Sequence, residues 1–181
     1  WVPSLMAERG VASGSMVSSI LIMAAGSMCG YILTSDLADR LGRRPTLFLM
    51  SIGSWIVTVS YVMFPLSAVL TSALSFLVGF FMLGVFAVMG PYLSELFPTK
   101  VRTTCMGFAY NLGKTLGALA VAGVGILSAY TGLAQAIGLF CFAAYAITLC
   151  SLLLLPETRG KSIEDIDTEM TKPDVGADKL A

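Results

Sequence analysis

Two long stretches of this chain carry no charged side chain at all. No Asp, Glu, Lys or Arg lies between Arg44 and Glu95, and none lies between Lys114 and Glu157. A helix that spans a bilayer needs about 20 mainly apolar residues, because each residue rises about 1.5 Å across roughly 30 Å of hydrocarbon. These stretches are long enough for several spans, and they lack the period-two alternation of barrel strands. The sequence therefore predicts an all-α, polytopic membrane protein.

Five apolar segments are predicted to cross the membrane, with charged residues and Pro65 at their boundaries. The segments are residues 11–35, 45–64, 66–92, 103–130 and 133–155. Residues 1–10 are expected to lie outside the membrane, and the acidic residues 156–181 are expected to form a tail. Because the chain begins at Trp1 rather than at Met, we expect it to be part of a longer protein.

The composition excludes several classes of function. Only 12% of the residues are charged and the net charge is zero, so the chain offers no basic surface for nucleic acid. It contains no histidine, and its four cysteines lack the paired spacing of metal ligands. No deep carboxylate is available for acid–base catalysis. We therefore expect no enzyme activity, no cofactor and no metal.

The basic residues between the segments predict which side of the membrane each connection occupies. The connections near Pro65 and Thr131 carry no charge, whereas every alternate connection is basic. Basic connections stay in the cytoplasm, so the C-terminus is predicted to be cytoplasmic in a plasma (inner) membrane protein. The basic residues concerned are Arg40, Arg43, Arg44, Lys100, Arg102, Arg159 and Lys161.

Three short motifs at these connections resemble those of a known family. Leu37 and the run Asp39-Arg40-Leu41-Gly42-Arg43-Arg44 resemble the signature loop Gly-x-Leu-x-Asp-Arg-x-Gly-Arg-Arg of the major facilitator superfamily. Ser35 stands where that loop usually has Gly, which is typical of its second copy, between helices eight and nine. Gly42 can supply the positive φ that such a tight turn needs.

The other two motifs follow in the family's order. Glu95, Pro98 and Arg102 resemble the Glu-x-x-Pro-x-x-x-Arg loop between helices ten and eleven. The run Pro156-Glu157-Thr158-Arg159-Gly160 resembles the Pro-Glu-Thr-Lys-Gly motif of the sugar-porter branch, with Arg159 in place of Lys.

The resemblance implies that the five spans are helices eight to twelve of a twelve-helix fold, with residues 1–6 at the outer end of helix seven. The implied function is secondary active transport of a small polar metabolite, a sugar or an organic acid, by proton-coupled symport with alternating access. The implied partners are the lipid bilayer, the small-molecule substrate and a missing N-terminal half of six helices. The alternative is a non-transporting structural or regulatory half-transporter that needs a separate N-terminal half.

The resemblance also implies a cytoplasmic gate, in which ion pairs between the motifs hold the outward-open state of the transporter. Interface charge pairs can bias such a two-state equilibrium. The residues assigned to the gate and its motifs are Asp39, Arg40, Gly42, Arg43, Arg44, Glu95, Pro98, Arg102, Pro156, Glu157 and Arg159.

Lys114 is the one charged residue predicted deep inside a span. A charge at that depth costs at least about 2.5–3.5 kcal/mol and usually faces a cavity. Asn111 lies one helical turn earlier on nearly the same face. Both are candidates for substrate binding or coupling. Lys114 could bind a carboxylate, stay neutral or pair with a carboxylate in the missing half. The structural alternative is that Lys114 satisfies a backbone carbonyl or a buried acid.

Two glycine pairs have the spacing that lets membrane helices approach closely. Gly26 and Gly30 are four residues apart, and so are Gly113 and Gly117. We expect both pairs to serve packing within the molecule rather than dimerisation. Gly90-Pro91 is expected to kink or weaken the helix that contains it.

Overall fold

The computed structural model describes residues 2–8, 13–64 and 68–158, and within these ranges the protein is helical with no strand. The helices pack against one another in a single bundle. Their bounds are α1 (Val2–Glu8), α2 (Ser13–Leu41), α3 (Arg43–Met63), α4 (Ala68–Val78), a π-helical segment (Gly79–Leu83), α5 (Gly84–Leu96), α6 (Arg102–Thr131) and α7 (Leu133–Leu154).

Five helical stretches among the described residues are long and apolar enough to cross a membrane. They are Gly14–Leu41, Arg43–Met63, Val69–Leu96, Arg102–Thr131 and Leu133–Leu154. The prediction of an all-α, polytopic membrane fold is confirmed.

The first span runs beyond its predicted end, because α2 continues through the charged residues Asp36, Asp39 and Arg40 up to Leu41. The division into an external segment at 1–10, a five-span unit at 11–155 and a tail at 156–181 stays a prediction. Residues 1, 9–12 and 159–181, which include Arg159 and the acidic part of that tail, lie outside the described ranges.

The third span is interrupted in a way that the sequence did not indicate. A π-helical segment at Gly79–Leu83 separates α4 from α5. Its backbone hydrogen bonds join residues i and i+5, instead of i and i+4 as in an α-helix. Pro91 lies inside α5, which continues to Leu96. The break expected at Pro65 falls on residues 65–67, outside the described part of the chain.

Helix α2 packs along the whole third span, against α4, the π-helical segment and α5. Glycines make this approach possible. A Cβ on Gly26 would overlap the carbonyl oxygen of Phe76, and a Cβ on Gly30 would overlap that of Phe80. From the opposite side, a Cβ on Gly79 would overlap the carbonyl oxygen of Met23. The close packing predicted for the first glycine pair is therefore present within the molecule.

The remaining helices form a second layer of the bundle. Helix α3 packs against α7, and α7 packs against α6. One apolar cluster, which includes Tyr61, Val124 and Ile137, joins these three helices with α1 and α4. A second cluster, which includes Leu47, Tyr92 and Leu152, lies at the end of the bundle that carries the three motifs, here named the motif end.

Single glycines join two pairs of long helices. Gly42 connects α2 to α3 with φ 110°, and Gly132 connects α6 to α7 with φ 87°. Both values lie in the left-handed region, which glycine enters without the steric cost that a side chain brings. The N–H of Gly42 donates to the carbonyl of Ala38, and that of Gly132 donates to the carbonyl of Ser128, each at 3.1 Å.

Candidate functional site

Arg43 is the centre of a cluster of charged groups at the motif end. Its Nη1 lies 2.7 Å from Asp39 Oδ1, and its Nε lies 3.3 Å from Glu95 Oε1. The side chains of Arg43 and Glu95 are each 21% exposed, whereas that of Asp39 is 66% exposed. The Arg43–Glu95 pair is thus partly shielded from water, and shielding strengthens the attraction between opposite charges. It joins the start of α3 to the end of α5.

Glu157 binds the beginning of α3 through backbone groups. Its Oε1 accepts a hydrogen bond from the N–H of Arg43 at 2.9 Å, and its Oε2 accepts one from the N–H of Arg44 at 3.0 Å. The first N–H groups of a helix have no partner within the helix, and this end of the helix dipole is positive. The carboxylate satisfies both needs, so Glu157 caps α3 from outside that helix.

Gly42 makes room for this carboxylate. A Cβ at position 42 would lie 3.0–3.2 Å from the three carboxylate atoms of Glu157, in addition to the strain of its positive φ. Gly42 is therefore required by the turn and by the approach of Glu157. The sequence predicted only the first of these requirements.

Arg44 makes the opposite connection, from α3 to the end of α7. Its Nε donates to the carbonyl of Leu152 at 2.7 Å, and its Nη2 donates to that of Leu153 at 2.8 Å. The last carbonyls of a helix also lack partners, and a cation is favourable there. Helices α3 and α7 thus satisfy each other's ends, an arrangement named here the reciprocal cap.

Two further residues, Tyr92 and Thr158, tie the segment after α7 to α5. The hydroxyl of Tyr92 donates to the carbonyl of Pro156 at 2.7 Å. The Thr158 hydroxyl donates to Glu95 Oε2, the oxygen that does not face Arg43, and Thr158 is only 4% exposed. Position 158 within the Pro-Glu-Thr motif was the available signal for Thr158. The group formed by Asp39, Arg43, Glu95, Glu157 and Thr158 is named the motif cluster.

Other residues assigned to the gate lie outside the motif cluster. Arg40 pairs instead with Asp36 at 3.0 Å, and their side chains are 74% and 58% exposed. Arg102 Nε donates to the carbonyl of Phe97 at 3.2 Å, and the carbonyl of Pro98 accepts the N–H of Val101 at 3.1 Å. These two motif residues therefore shape the connection between α5 and α6. The role of the whole set as a gate stays a prediction.

Lys114 and Asn111 lie on an exposed face of α6. The Nζ of Lys114 is 4.6 Å from the centroid of the Tyr110 ring, a cation–π distance. Asn111 Nδ2 donates to the carbonyl of Gly107 at 2.7 Å, and Thr115 Oγ1 donates to the carbonyl of Asn111 at 3.0 Å. Within the described ranges Lys114 makes no ion pair. It lies twelve residues after the start of α6, about 18 Å along the axis.

Two of the cavities lie between helices that carry candidate residues of the site. One of about 380 Å³ lies between α3, α5 and α7, and no charged side chain lines it, so it offers no counter-charge to an ion. The other, of about 340 Å³, lies between α5 and α6 and includes Tyr110 in its wall. It is named the α5–α6 slot. Over the described part of the chain, no group of His, Cys, Asp and Glu has the arrangement of a metal site.

Comparison with known families decides the classification. The model of the Major Facilitator Superfamily matches residues 1–177. The chain belongs to this superfamily. The resemblance inferred from the three motifs is thereby confirmed, and the protein is a multi-pass membrane protein of a transporter family rather than an enzyme.

Similar curated proteins in this superfamily are named as transporters. The chain is 60% identical over 166 residues to a probable 4-methylmuconolactone transporter of Cupriavidus pinatubonensis, covering 92% of this chain and 39% of that protein. It is 34% identical over 131 residues to the cis,cis-muconate transport protein of Acinetobacter baylyi, covering 71% and 31%. It is 28% identical over 167 residues to the niacin transporter NiaP of the same organism, covering 92% and 38%. The chain thus spans less than two fifths of the length of these relatives.

Proposed function

We propose that this chain forms most of the C-terminal half of a transporter that carries small organic acids across the plasma membrane. The superfamily and the relatives' names support transport. Methylmuconolactone, muconate and niacin each carry a carboxyl group, which favours organic acids over the sugars that the sequence left open. A six-helix N-terminal half would complete the substrate cavity, as expected for a fold built from two repeats.

The position and exposure of Lys114 are the main support for this proposal. Its side chain is exposed at the middle of a 30-residue spanning helix, and the described residues give it no carboxylate partner. An ammonium group facing lipid would cost at least about 2.5–3.5 kcal/mol, so the face that carries it borders a cavity. A substrate carboxylate would supply the missing negative charge. The cation–π contact with Tyr110 orients the ammonium without neutralising it.

Asn111 extends this binding surface by one helical turn. Positions 111 and 114 are three residues apart on α6, so their side chains leave the helix on neighbouring faces. The amide nitrogen of Asn111 is bonded to the carbonyl of Gly107, which fixes its position. Asn111 would bind the second polar group of a substrate whose carboxylate lies at Lys114.

The motif cluster would act as the gate of alternating access. It joins α2, α3, α5 and the segment after α7 through partly buried charges, and such contacts can be made in one state and broken in another. The basic connections favour a cytoplasmic position for the motif end. Proton coupling would require a titrating group, and because no acidic residue lies deep in the described spans, we place that group in the N-terminal half.

A chimera tests the proposal directly. The matching 166 residues of the Cupriavidus pinatubonensis relative are replaced by those of this chain, which is 60% identical to them, and uptake of 4-methylmuconolactone is measured in cells. We expect uptake by the chimera and a loss of about tenfold or more in Lys114→Gln, since the charge pairing a carboxylate is removed. Lys114→Arg should retain part of the activity.

Lys100→Gln is the matched control, because Lys100 is an exposed basic residue outside the spans. It should leave uptake unchanged. Equal uptake by Lys114→Gln and the parent chimera, at equal amounts in the membrane, would contradict the assignment of Lys114. A chimera that reaches the membrane and takes up none of the three named acids would instead favour the alternative of a structural or regulatory half-transporter.

A further inference from the structure

Tyr110, which contacts Lys114, also lines the α5–α6 slot. We infer that this slot binds the planar ring of a carboxylate substrate, and that Gly107 determines which rings fit. The inference rests on the proposed function, in which Lys114 binds the carboxylate. The lining residues that carry the argument are Phe86, Met89 and Gly90 of α5 and Met106, Gly107 and Tyr110 of α6.

Tyr110 belongs both to the slot and to the charged site. Its ring lies 4.6 Å from Lys114 Nζ and also forms part of the slot wall. Gly107, Asn111 and Lys114 follow the spacing i, i+4, i+7, so they share one face of α6. The distance along the axis from Gly107 to Lys114 is about 10 Å, which accommodates one ring with its carboxylate. A single molecule can therefore reach from Lys114 into the slot.

The chemistry of the wall fits an aromatic or conjugated ring. Phe86 and Tyr110 offer ring surfaces, and Met89 and Met106 offer thioethers, which make favourable contacts with aromatic rings. No charged side chain lines the slot, so a second carboxylate or a polyhydroxylated sugar placed there would lose its hydration without compensation. The volume of about 340 Å³ is near the lower end of ligand sites, which span about 300–1,000 Å³.

The two glycines of the slot are not explained by packing among the described residues. A Cβ on Gly90 or Gly107 would meet no atom within 4 Å, whereas Gly26 and Gly30 of α2 face backbone carbonyls. Glycine at positions 90 and 107 therefore leaves open space in the slot and does not serve a close contact between the described helices. Because Gly107 lines the slot, we expect a side chain at this position to reduce the space available to a ring.

The experiment uses the active chimera with Gly107→Val and a matched control. Gly117→Val places the same side chain on the same helix, where a Cβ also meets nothing within 4 Å, but position 117 does not line the slot. In Gly107→Val we expect KM for 4-methylmuconolactone to rise about tenfold with the maximal rate per transporter unchanged, because a pocket typically discriminates one small group by about 10–200-fold. The inhibition constant of crotonate, a carboxylate without a ring, should stay the same.

A second substitution tests the slot from the opposite wall. The double variant Gly107→Val/Phe86→Ala should have a lower KM than Gly107→Val alone, because removing the Phe86 ring restores space in the slot. An unchanged KM in Gly107→Val overturns the inference, as does a crotonate inhibition constant that rises as much as KM. Equal effects of Gly107→Val and Gly117→Val would also overturn it.

Failure of the proposed function is recognised separately. If the parent chimera takes up no carboxylate, binding is measured by the rise in thermal unfolding midpoint of the purified chimera with benzoate. The slot inference then predicts a rise in the parent and in Gly117→Val and none in Gly107→Val. A benzoate effect that is absent from the parent, or that is equal in all three proteins, overturns it.

Discussion

Helices α2 and α6 are similar in length, apolar character and glycine spacing, but their environments are opposite. Each is about 30 residues long, each is apolar, and each carries two glycines four residues apart. Gly26 and Gly30 of α2 lie against the carbonyls of Phe76 and Phe80, whereas a Cβ on Gly113 or Gly117 of α6 would meet nothing within 4 Å. The spacing of small residues permits close packing, but only a partner helix makes use of it.

The same contrast holds for the charged residues. Around the end of α2, Arg43 and Glu95 are mostly shielded and pair with each other, whereas Lys114 in the middle of α6 is exposed and makes no ion pair among the described residues. One region therefore has its interactions completed within the described chain, and the other does not. Each prediction below pairs a substitution of a shielded or closely packed group with a matched substitution of an exposed one, with stability measured as thermal unfolding of the purified chimera.

The largest difference is expected between Gly26→Ala and Gly113→Ala. The new methyl at 26 would overlap a backbone carbonyl that cannot turn aside, and overpacking of this kind costs about 3 kcal/mol, the upper end of the usual range. The methyl at 113 meets no atom of the described residues within 4 Å, so the unfolding midpoint should stay the same or rise slightly. A large loss at 113 would show that the N-terminal half packs closely against α6.

Arg43→Gln should destabilise more than Arg40→Gln. Arg43 bonds two carboxylates and is 21% exposed, so its removal leaves Glu95 partly buried without its cation, at a cost of about 2 kcal/mol. Arg40 has one exposed partner, Asp36, and exposed pairs contribute about 0–1 kcal/mol. Equal shifts of the unfolding midpoint in the two variants would contradict the shielding described for the motif cluster.

Glu157→Gln should cost about 1 kcal/mol, the usual value of a helix cap combined with a favourable charge at a helix N-terminus. The amide keeps one acceptor oxygen for the two N–H groups of Arg43 and Arg44 and loses the negative charge. Asp36→Asn, which neutralises an exposed carboxylate, is its control and should change the midpoint little. If Glu157→Gln unfolds at the same temperature as the parent, the reciprocal cap contributes nothing to stability.

The smallest difference is expected between Thr158→Val and Thr131→Val. The first removes the hydrogen bond from a buried hydroxyl to Glu95, at a cost of about 0.5–1.5 kcal/mol. The second removes an exposed bond to the carbonyl of Leu127 within α6, which water can replace. Thr158→Ser, which keeps the hydroxyl, should restore most of the lost stability, and its failure to do so would assign the effect to the methyl group.

The sequence predicted the spans well because charge and hydropathy act locally. A charged side chain rarely lies in hydrocarbon, so the uncharged stretches 45–94 and 115–156 indicate where the spans lie, although α6 itself carries Lys114 near its middle. The π-helical segment at Gly79–Leu83 has no such signal, since its residues are as apolar as their neighbours. Its surroundings are seen only in the structure, where Gly79 lies against the carbonyl of Met23 on α2.

The partners of the motif residues were harder to predict, because a motif gives the residue types but not which groups each side chain contacts in the folded protein. Ion pairs are the natural expectation for Arg44 and Glu157, yet in the structure Arg44 donates to carbonyls of α7 and Glu157 accepts backbone N–H groups of α3. The free ends of helices compete for the same side chains as opposite charges do. Arg159 lies outside the described residues, and its role stays a prediction.

The single-residue connection at Gly132 has a consequence for how the protein is made. Two spans of 30 and 22 residues that meet at one glycine have almost no connection between them, which favours their entry into the bilayer together as a helical hairpin. The α6 segment then reaches the hydrocarbon already paired with the strongly apolar α7, which compensates for the cost of inserting Lys114. Lengthening this turn with a few polar residues would separate the two insertion events. The lysine-bearing helix would then depend on its own hydrophobicity to be retained by the translocation machinery.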